Sequence, residues 1–182
     1  MPLPIENKEY YTVEDFYNCV EEEFVELIDG HIYNMTAPNR IHQKITTKMI
    51  QRITNYIDSN NGDCEVYPAP FAVLLDATKD TVVEPDISVI CDKNKLTDRG
   101  CTGAPDWIIE VVSPSNYSHD YIDKLNLYHQ AGVREYWIVN PMDEKTTVYN
   151  LQEEVSPKVY DFDESIQVGI DENLSIRVRD FL

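Results

Sequence analysis

Basic residues are scarce in this chain. Fifteen lysines and arginines stand against 33 aspartates and glutamates, a net charge of -18 with a pI near 4.4. That balance repels polyanions on average and counts against a general nucleic-acid coat; a local basic surface remains compatible with it, because charges beyond a Debye length of about 8 Å are screened. Cysteine is sparse and scattered: Cys19, Cys64, Cys91 and Cys101 include no C-x-x-C pair and have no histidine at ligand spacing. A zinc site or disulfide framework is therefore not expected, and reduced cytoplasmic thiols are. No uncharged run approaches the length of about 18 residues that a membrane helix needs. The first twenty residues, opening Met1-Pro2-Leu3-Pro4, have neither a basic nor an apolar leader-like segment. Neither secretion nor membrane insertion is expected, and the chain is placed in the cytoplasm. Repeats and low-complexity linkers are missing as well. What remains is 182 residues, 42% of them hydrophobic, which suits one domain over residues 1–182.

Element signals are clear along most of the chain. Thr12 with Glu14 and Asp15 caps a short helix over 12–22. "FVELIDGHIYNM" sets two apolar runs around Asp29-Gly30 and predicts a hairpin with strands 24–28 and 31–35. Ile41, Ile45, Met49, Ile50, Ile53 and Ile57 recur at helical spacing over 39–58. Short strands follow near 64–67 and 70–75. "VVEPDISVI" and "DWIIEVV" are buried strands joined by a polar loop, and "SPSNYSHDYIDKLNLYHQAGV" is a helix stopped at Gly132. "REYWIVN" returns as a strand parallel to the one before the helix. The tail, "TTVYNL" then "KVYDF", alternates in strand fashion and reads as an edge or a partner-facing sheet.

One residue breaks its surroundings. Glu110 lies inside the apolar run "PDWIIEVV", and a carboxylate taken out of water needs a compensating partner. If "EPDISVIC" pairs antiparallel with "PDWIIEVV" about the loop from Asp92 to Pro105, Asp86 falls opposite Glu110 or Val111. Two like charges so close call for a cation, and Mg²⁺ suits one or two carboxylates plus water and phosphate. Lys124 comes one helix later, one turn from Asp120. A structural ion pair of Glu110 with Lys124 or Arg134 explains the same residue without a metal, and a turn or exposed edge explains Asp86. Glu26 beside its turn and His42 beside the helical core face have equally plain readings.

A second feature is a basic stripe. Arg40, Lys44, Lys48 and Arg52 follow at i, i+4 spacing, and no acid occurs from Ala37 to Ile57. Phosphates would relieve the repulsion along it, by contact with the nucleic-acid backbone and without base reading. A solvated flank that meets acids elsewhere is the alternative.

The ordered set "ELIDGHIY", "NRIHQKI", "VVEPDISVI", "GAPDWIIEVVSPS" and "DKLNLYHQAGVREYWIVNP" resembles the Uma-two family of restriction endonuclease-like proteins, in the PD-(D/E)XK phosphodiesterase superfamily, over roughly residues 10 to 150. The resemblance implies an α/β fold: a restriction endonuclease-like mixed sheet flanked by helices, with additional antiparallel strands at both ends of the chain. By position, Asp86 matches the motif aspartate and Glu110 the motif acid. Val112 replaces the lysine expected two residues on, and Lys124 matches a lysine migrated to the next helix. Glu26, and His42 with Gln43, match further signature positions; Asn140 departs from the aspartate common before Pro141. Implied are Mg²⁺ or Mn²⁺ on Asp86 and Glu110, catalytic roles for Asp86, Glu110, Lys124, Glu26 and His42, and nucleic acid, DNA first, on Arg40, Lys44, Lys48 and Arg52. A homodimer is expected. The rival expectation is an inactive module of the same fold acting in protein association, which the net charge favours.

Overall fold

A computed structural model describes residues 8–19, 24–35, 37–113, 123–152 and 156–182. The first described helix is α1 (Val13–Cys19), and the expected continuation to residue 22 lies outside the described residues. Asp29 and Gly30 take positive φ values of 48° and 75°, which close β1 (Val25–Ile28) onto β2 (His31–Asn34) in a two-residue hairpin. Gly30 is required on a second ground: any Cβ there would enter the Tyr10 ring.

The long helix α2 spans Arg40–Ser59. It starts where Asn39 Oδ1 accepts hydrogen bonds from the amides of Ile41 and His42, at 2.9 and 3.0 Å. Then come β3 (Glu65–Pro68), β4 (Val73–Asp76), β5 (Thr81–Val83), β6 (Ile87–Ile90), β7 (Leu96–Thr97), β8 (Gly100–Thr102) and β9 (Trp107–Val111). After α3 (Lys124–Ala131) the chain forms β10 (Glu135–Asn140), β11 (Lys145–Asn150), β12 (Lys158–Asp161), β13 (Ile166–Gln167) and β14 (Ser175–Ile176). The part of the helix expected N-terminal to α3, Asp120 included, lies outside the described residues. No helix among the described residues is long and apolar enough to cross a membrane.

Two six-stranded mixed sheets organise these strands, in the orders β2-β1-β5-β4-β8-β7 and β12-β11-β10-β9-β6-β3. In the second, β9 and β10 are parallel, as the intervening helix predicts, and the tail strands β11 and β12 add antiparallel, leaving β12 at an edge. The residues between Asp92 and Pro105 are more than the polar loop expected. They include β7 and β8, which join the first sheet, because β8 pairs parallel with β4, while β6 before them and β9 after them belong to the second.

The pleat of β9 decides what each residue meets. Trp107, Ile109 and Val111 face Ile45, Met49 and Ile53 of α2, in a core shared with Trp137, Phe162 and Val178. Ile108 and Val112 face the other way, toward Tyr128 of α3 and Val73, Val83 and Cys101 of the first sheet.

A disulfide corrects the expectation of reduced thiols. Cys64 and Cys91 flank the paired ends Glu65 and Ile90 of β3 and β6, and they are bonded, with Cα atoms 3.9 Å apart. The 27-residue separation hid a pairing that only strand register creates. Cys101 is free and buried, and burial pushes its thiol up to about 11.

Candidate functional site

The chain crosses from one sheet to the other at Glu84-Pro85-Asp86, between the end of β5 and the start of β6. Glu84 thus ends the first sheet, Asp86 opens the second, and the acids of both converge on one cleft of about 570 Å³ that Glu84, Asp86, Glu110, His42 and Lys124 line.

Asp86 sits where the hairpin register predicts. β6 and β9 are antiparallel, with Ile87 opposite Ile109 and Ser88 opposite Ile108. The next position outward brings Asp86 to Glu110: the Asp86 amide donates to Glu110 Oε2 at 3.3 Å, and the Val111 amide donates to Asp86 Oδ2 at 2.7 Å. His42, in the first turn of α2, approaches that same Oδ2 with Nε2 at 3.0 Å, so helix capping by Asn39 also aims the imidazole. His42 Nδ1 is buried and has no hydrogen-bond partner among the described residues. Asp86 Oδ1 accepts no hydrogen bond from the described residues.

Glu110 is buried on the α3 face of its sheet, and Lys124 Nζ donates to its Oε1 at 2.9 Å. The same ammonium donates to Glu26 Oε1 at 3.0 Å, so one buried lysine ties an acid of β9 to an acid of β1. Tyr128, one helical turn beyond Lys124, donates its hydroxyl to Glu110 Oε1 at 2.9 Å. Arg134, the other partner considered for Glu110, pairs instead with Asp106 at 3.0 Å. Glu26 is buried, contrary to the plain reading of an exposed acid beside a turn. The even positions of β1 turn away from the side where Val25 and Leu27 pack with Phe16.

Glu84 was not singled out in the sequence. Its amide donates to Glu26 Oε1 at 3.0 Å, its side chain is only 3% exposed, and its carboxylate accepts no hydrogen bond from the described residues. Burial, with the Glu26 charge adding to it, pushes this carboxyl up to about 7. The available signal was an acid inside the apolar run "TVVEPDISV", the same kind of signal that marked Glu110. Tyr128 could have been found from its i, i+4 spacing to Lys124.

The cleft floor therefore gathers three carboxylates, Glu84, Asp86 and Glu110, against one lysine and one histidine, and Lys124 links it to a fourth, Glu26. Among the described residues, no three His, Cys, Asp or Glu side chains converge as metal ligands.

The basic stripe stands apart from this floor. Arg40, Lys44, Lys48 and Arg52 are exposed, and no described carboxylate forms an ion pair with them. The residues of α2 that line the cleft are His42, Gln43, Thr46, Thr47 and Ile50. At about 100° per residue, an i, i+4 series drifts about 40° at each step. The stripe begins beside the cleft at Arg40 and winds away from it, to where Arg52 donates to the Ser175 carbonyl at 3.3 Å.

Comparison with known proteins bears on the fold and the family. The crystal structure of "a putative nuclease belonging to DUF820" from Anabaena variabilis superposes with a TM-score of 0.77 at 22% identity, over 93% of this chain and 96% of that one. It has the same restriction endonuclease-like mixed α/β fold. The "Uncharacterized protein slr1290" of Synechocystis sp. is 27% identical over 135 residues, 74% of this chain and 70% of that protein. Residues 13–179 match the family described as "Uma2: Putative restriction endonuclease", and a match over that much of its length makes this chain a member of the Uma2 family.

Proposed function

We propose that this protein is a metal-dependent phosphodiesterase, an endonuclease that hydrolyses nucleic acid, with DNA the first substrate to test. The observation that carries the reading is the meeting of Asp86 and Glu110 across β6 and β9, with Lys124 on Glu110 and a cleft open above them.

The donor set fits a hard divalent cation such as Mg²⁺ or Mn²⁺. Three buried carboxylates, Glu26, Glu84 and Glu110, and the part-exposed Asp86 gather against Lys124 and His42, and Asp86 Oδ1 accepts no hydrogen bond from the described residues. Asp86 and Glu110 would hold the ion, whose remaining positions suit water and a phosphate oxygen. When bound, such an ion supplies Lewis-acid polarisation of the phosphoryl group and of the attacking water.

The chain's own residues do the rest. Val111 N–H and His42 fix Asp86 from two sides, so its free oxygen keeps its direction. Lys124 and Tyr128 fix Glu110, and the ammonium places positive charge where it can stabilise negative charge building on a phosphoryl oxygen. Glu26 holds Lys124 from the opposite side and acts by positioning it. The basic stripe on α2 would take backbone phosphates away from the reacting bond.

A second reading, an inactive module that associates as a homodimer, is favoured by the exposed Val159 on the edge strand β12 and by Met142 in the turn before β11. One experiment separates the two. Mg²⁺ and Mn²⁺ are titrated calorimetrically into the wild type, Asp86→Ala and Glu110→Ala, while cleavage of single- and double-stranded DNA is followed. Metal binding and cleavage in the wild type, both lost in each variant, are expected. A wild type that binds neither ion makes Glu110 half of a structural ion pair and leaves the association module.

A further inference from the structure

The cleft lining has two chemical characters. Beside the acids, Lys124 and His42, it includes Phe24, Met35, Pro38, Ile50, Pro68 and Pro70. Phe24 heads this apolar lining. It immediately precedes β1, its carbonyl accepts from the Met35 amide at 2.8 Å, and its side chain is 64% exposed. Other phenylalanines in the core are shut away, Phe16 and Phe162 at 0% and 1% exposure. A fixed backbone thus holds an aromatic ring in water at the mouth of a charged cleft, an arrangement that costs hydrophobic free energy until something flat and apolar covers the ring.

What can cover it is limited by charge. Among the described residues Lys124 is the one lysine or arginine lining the cleft, and it is held by Glu26 and Glu110. For the two phosphate backbones of a duplex the described lining offers no lysine or arginine beyond Lys124, whereas the cleft volume falls within the range of about 300–1,000 Å³ typical of small-ligand sites. A ligand with one phosphate at the acids and a flat, uncharged ring against the apolar lining matches both characters.

Building on the phosphodiesterase reading, we propose that the apolar lining headed by Phe24 is a nucleobase subsite. It receives an unstacked base from the strand whose phosphodiester lies at Asp86 and Glu110, so the strand entering this cleft is unpaired at that point. Aromatic stacking accepts any of the bases, since each presents a π face. The subsite therefore selects for an unpaired base and not for a particular sequence.

The test compares four-residue single-stranded DNA probes, one of thymidines and one of abasic residues with the same phosphates, by fluorescence anisotropy in Ca²⁺, for wild type, Phe24→Ala and Phe24→Trp. Stacking on one base predicts roughly tenfold tighter binding of the thymidine probe by wild type. That preference disappears in Phe24→Ala and is retained in Phe24→Trp, with circular dichroism unchanged because the side chain is mostly in solvent. Equal binding of the two probes by wild type, or a preference that survives in Phe24→Ala, overturns the subsite. Failure of the parent reading looks different: cleavage and Asp86-dependent metal binding are then missing, whichever probe is preferred.

Discussion

Glu110 and Glu135 are buried acids on adjacent parallel strands, 4% and 2% exposed, and they do opposite things. Glu135 points to the face of the sheet covered by the tail. Its Oε1 accepts from Trp137 Nε1 at 2.6 Å and its Oε2 from the Ile170 amide at 2.9 Å, and a Cβ on Gly169 would come within 3.0 Å of that carboxylate. Neutral donors and close packing surround it, so it serves as a clasp between β10 and the tail. Glu110 points to the opposite face, where a buried ammonium, a phenol and a second carboxylate meet beside a cleft. Burial of an acid is thus no mark of function by itself. What distinguishes the two is the character of their surroundings: neutral donors and close packing around Glu135, and an ammonium, a phenol and a ligand-sized cleft around Glu110.

The largest expected difference between the two is catalytic. Glu110→Gln keeps the volume and loses the charge, and it is expected to reduce metal-dependent cleavage by at least about a thousandfold, the upper end of what removal of one preorganised electrostatic group costs. Glu135→Gln should leave the rate within about twofold. Steady-state assays on both proteins check this, and a folded Glu135→Gln that loses cleavage as well would erase the distinction.

Next in size is the role of Lys124. Its removal in Lys124→Ala leaves Glu26 and Glu110 buried without their cation, at a cost of about 3–5 kcal/mol in denaturant unfolding. A loss below about 1 kcal/mol would mean that water in the cleft already solvates these acids, and the contrast with the dry clasp of Glu135 would be sharper than drawn here.

The smallest effect is in pH. Burial holds the Glu135 carboxyl above the ordinary glutamate range, so the folded state keeps its proton to higher pH than the unfolded chain does. Stability from this group is complete below the unfolded pKa and declines as pH rises through the folded one. Melting temperatures of Glu135→Gln, compared with wild type across that rise, are expected to show a flatter profile. A parallel pair of curves would assign the carboxyl an ordinary titration.

How far the sequence reached depends on the range of the interaction. The hairpin at Asp29-Gly30 and the span of α2 were legible because turn chemistry and helical periodicity act within a few residues. The meeting of Asp86 and Glu110 was legible as well, since an antiparallel pair joined by a known loop has a register that counting can find. The crossing of β7 and β8 into the other sheet, and the Cys64–Cys91 bond, were not, because both follow from which strands become neighbours.

The candidate site divides along the same line. Asp86, Glu110, Lys124, Glu26 and His42 were proposed from an acid misplaced among apolar residues and from the family resemblance; the fold brings Asp86, Glu110, Lys124 and His42 to one cleft and ties Glu26 to it through Lys124. Sequence alone thus determined the residue types, the local elements and the β6–β9 pairing, all set by short-range stereochemistry and by the cost of burying a charge. Only the tertiary structure decided that Glu84 joins the acids, that Lys124 bridges two sheets, that the basic stripe winds away from the cleft and that Phe24 lines the same cleft as the acids. Each of these depends on how two sheets and a helix are set against one another, and residues distant in the chain carry no local record of that.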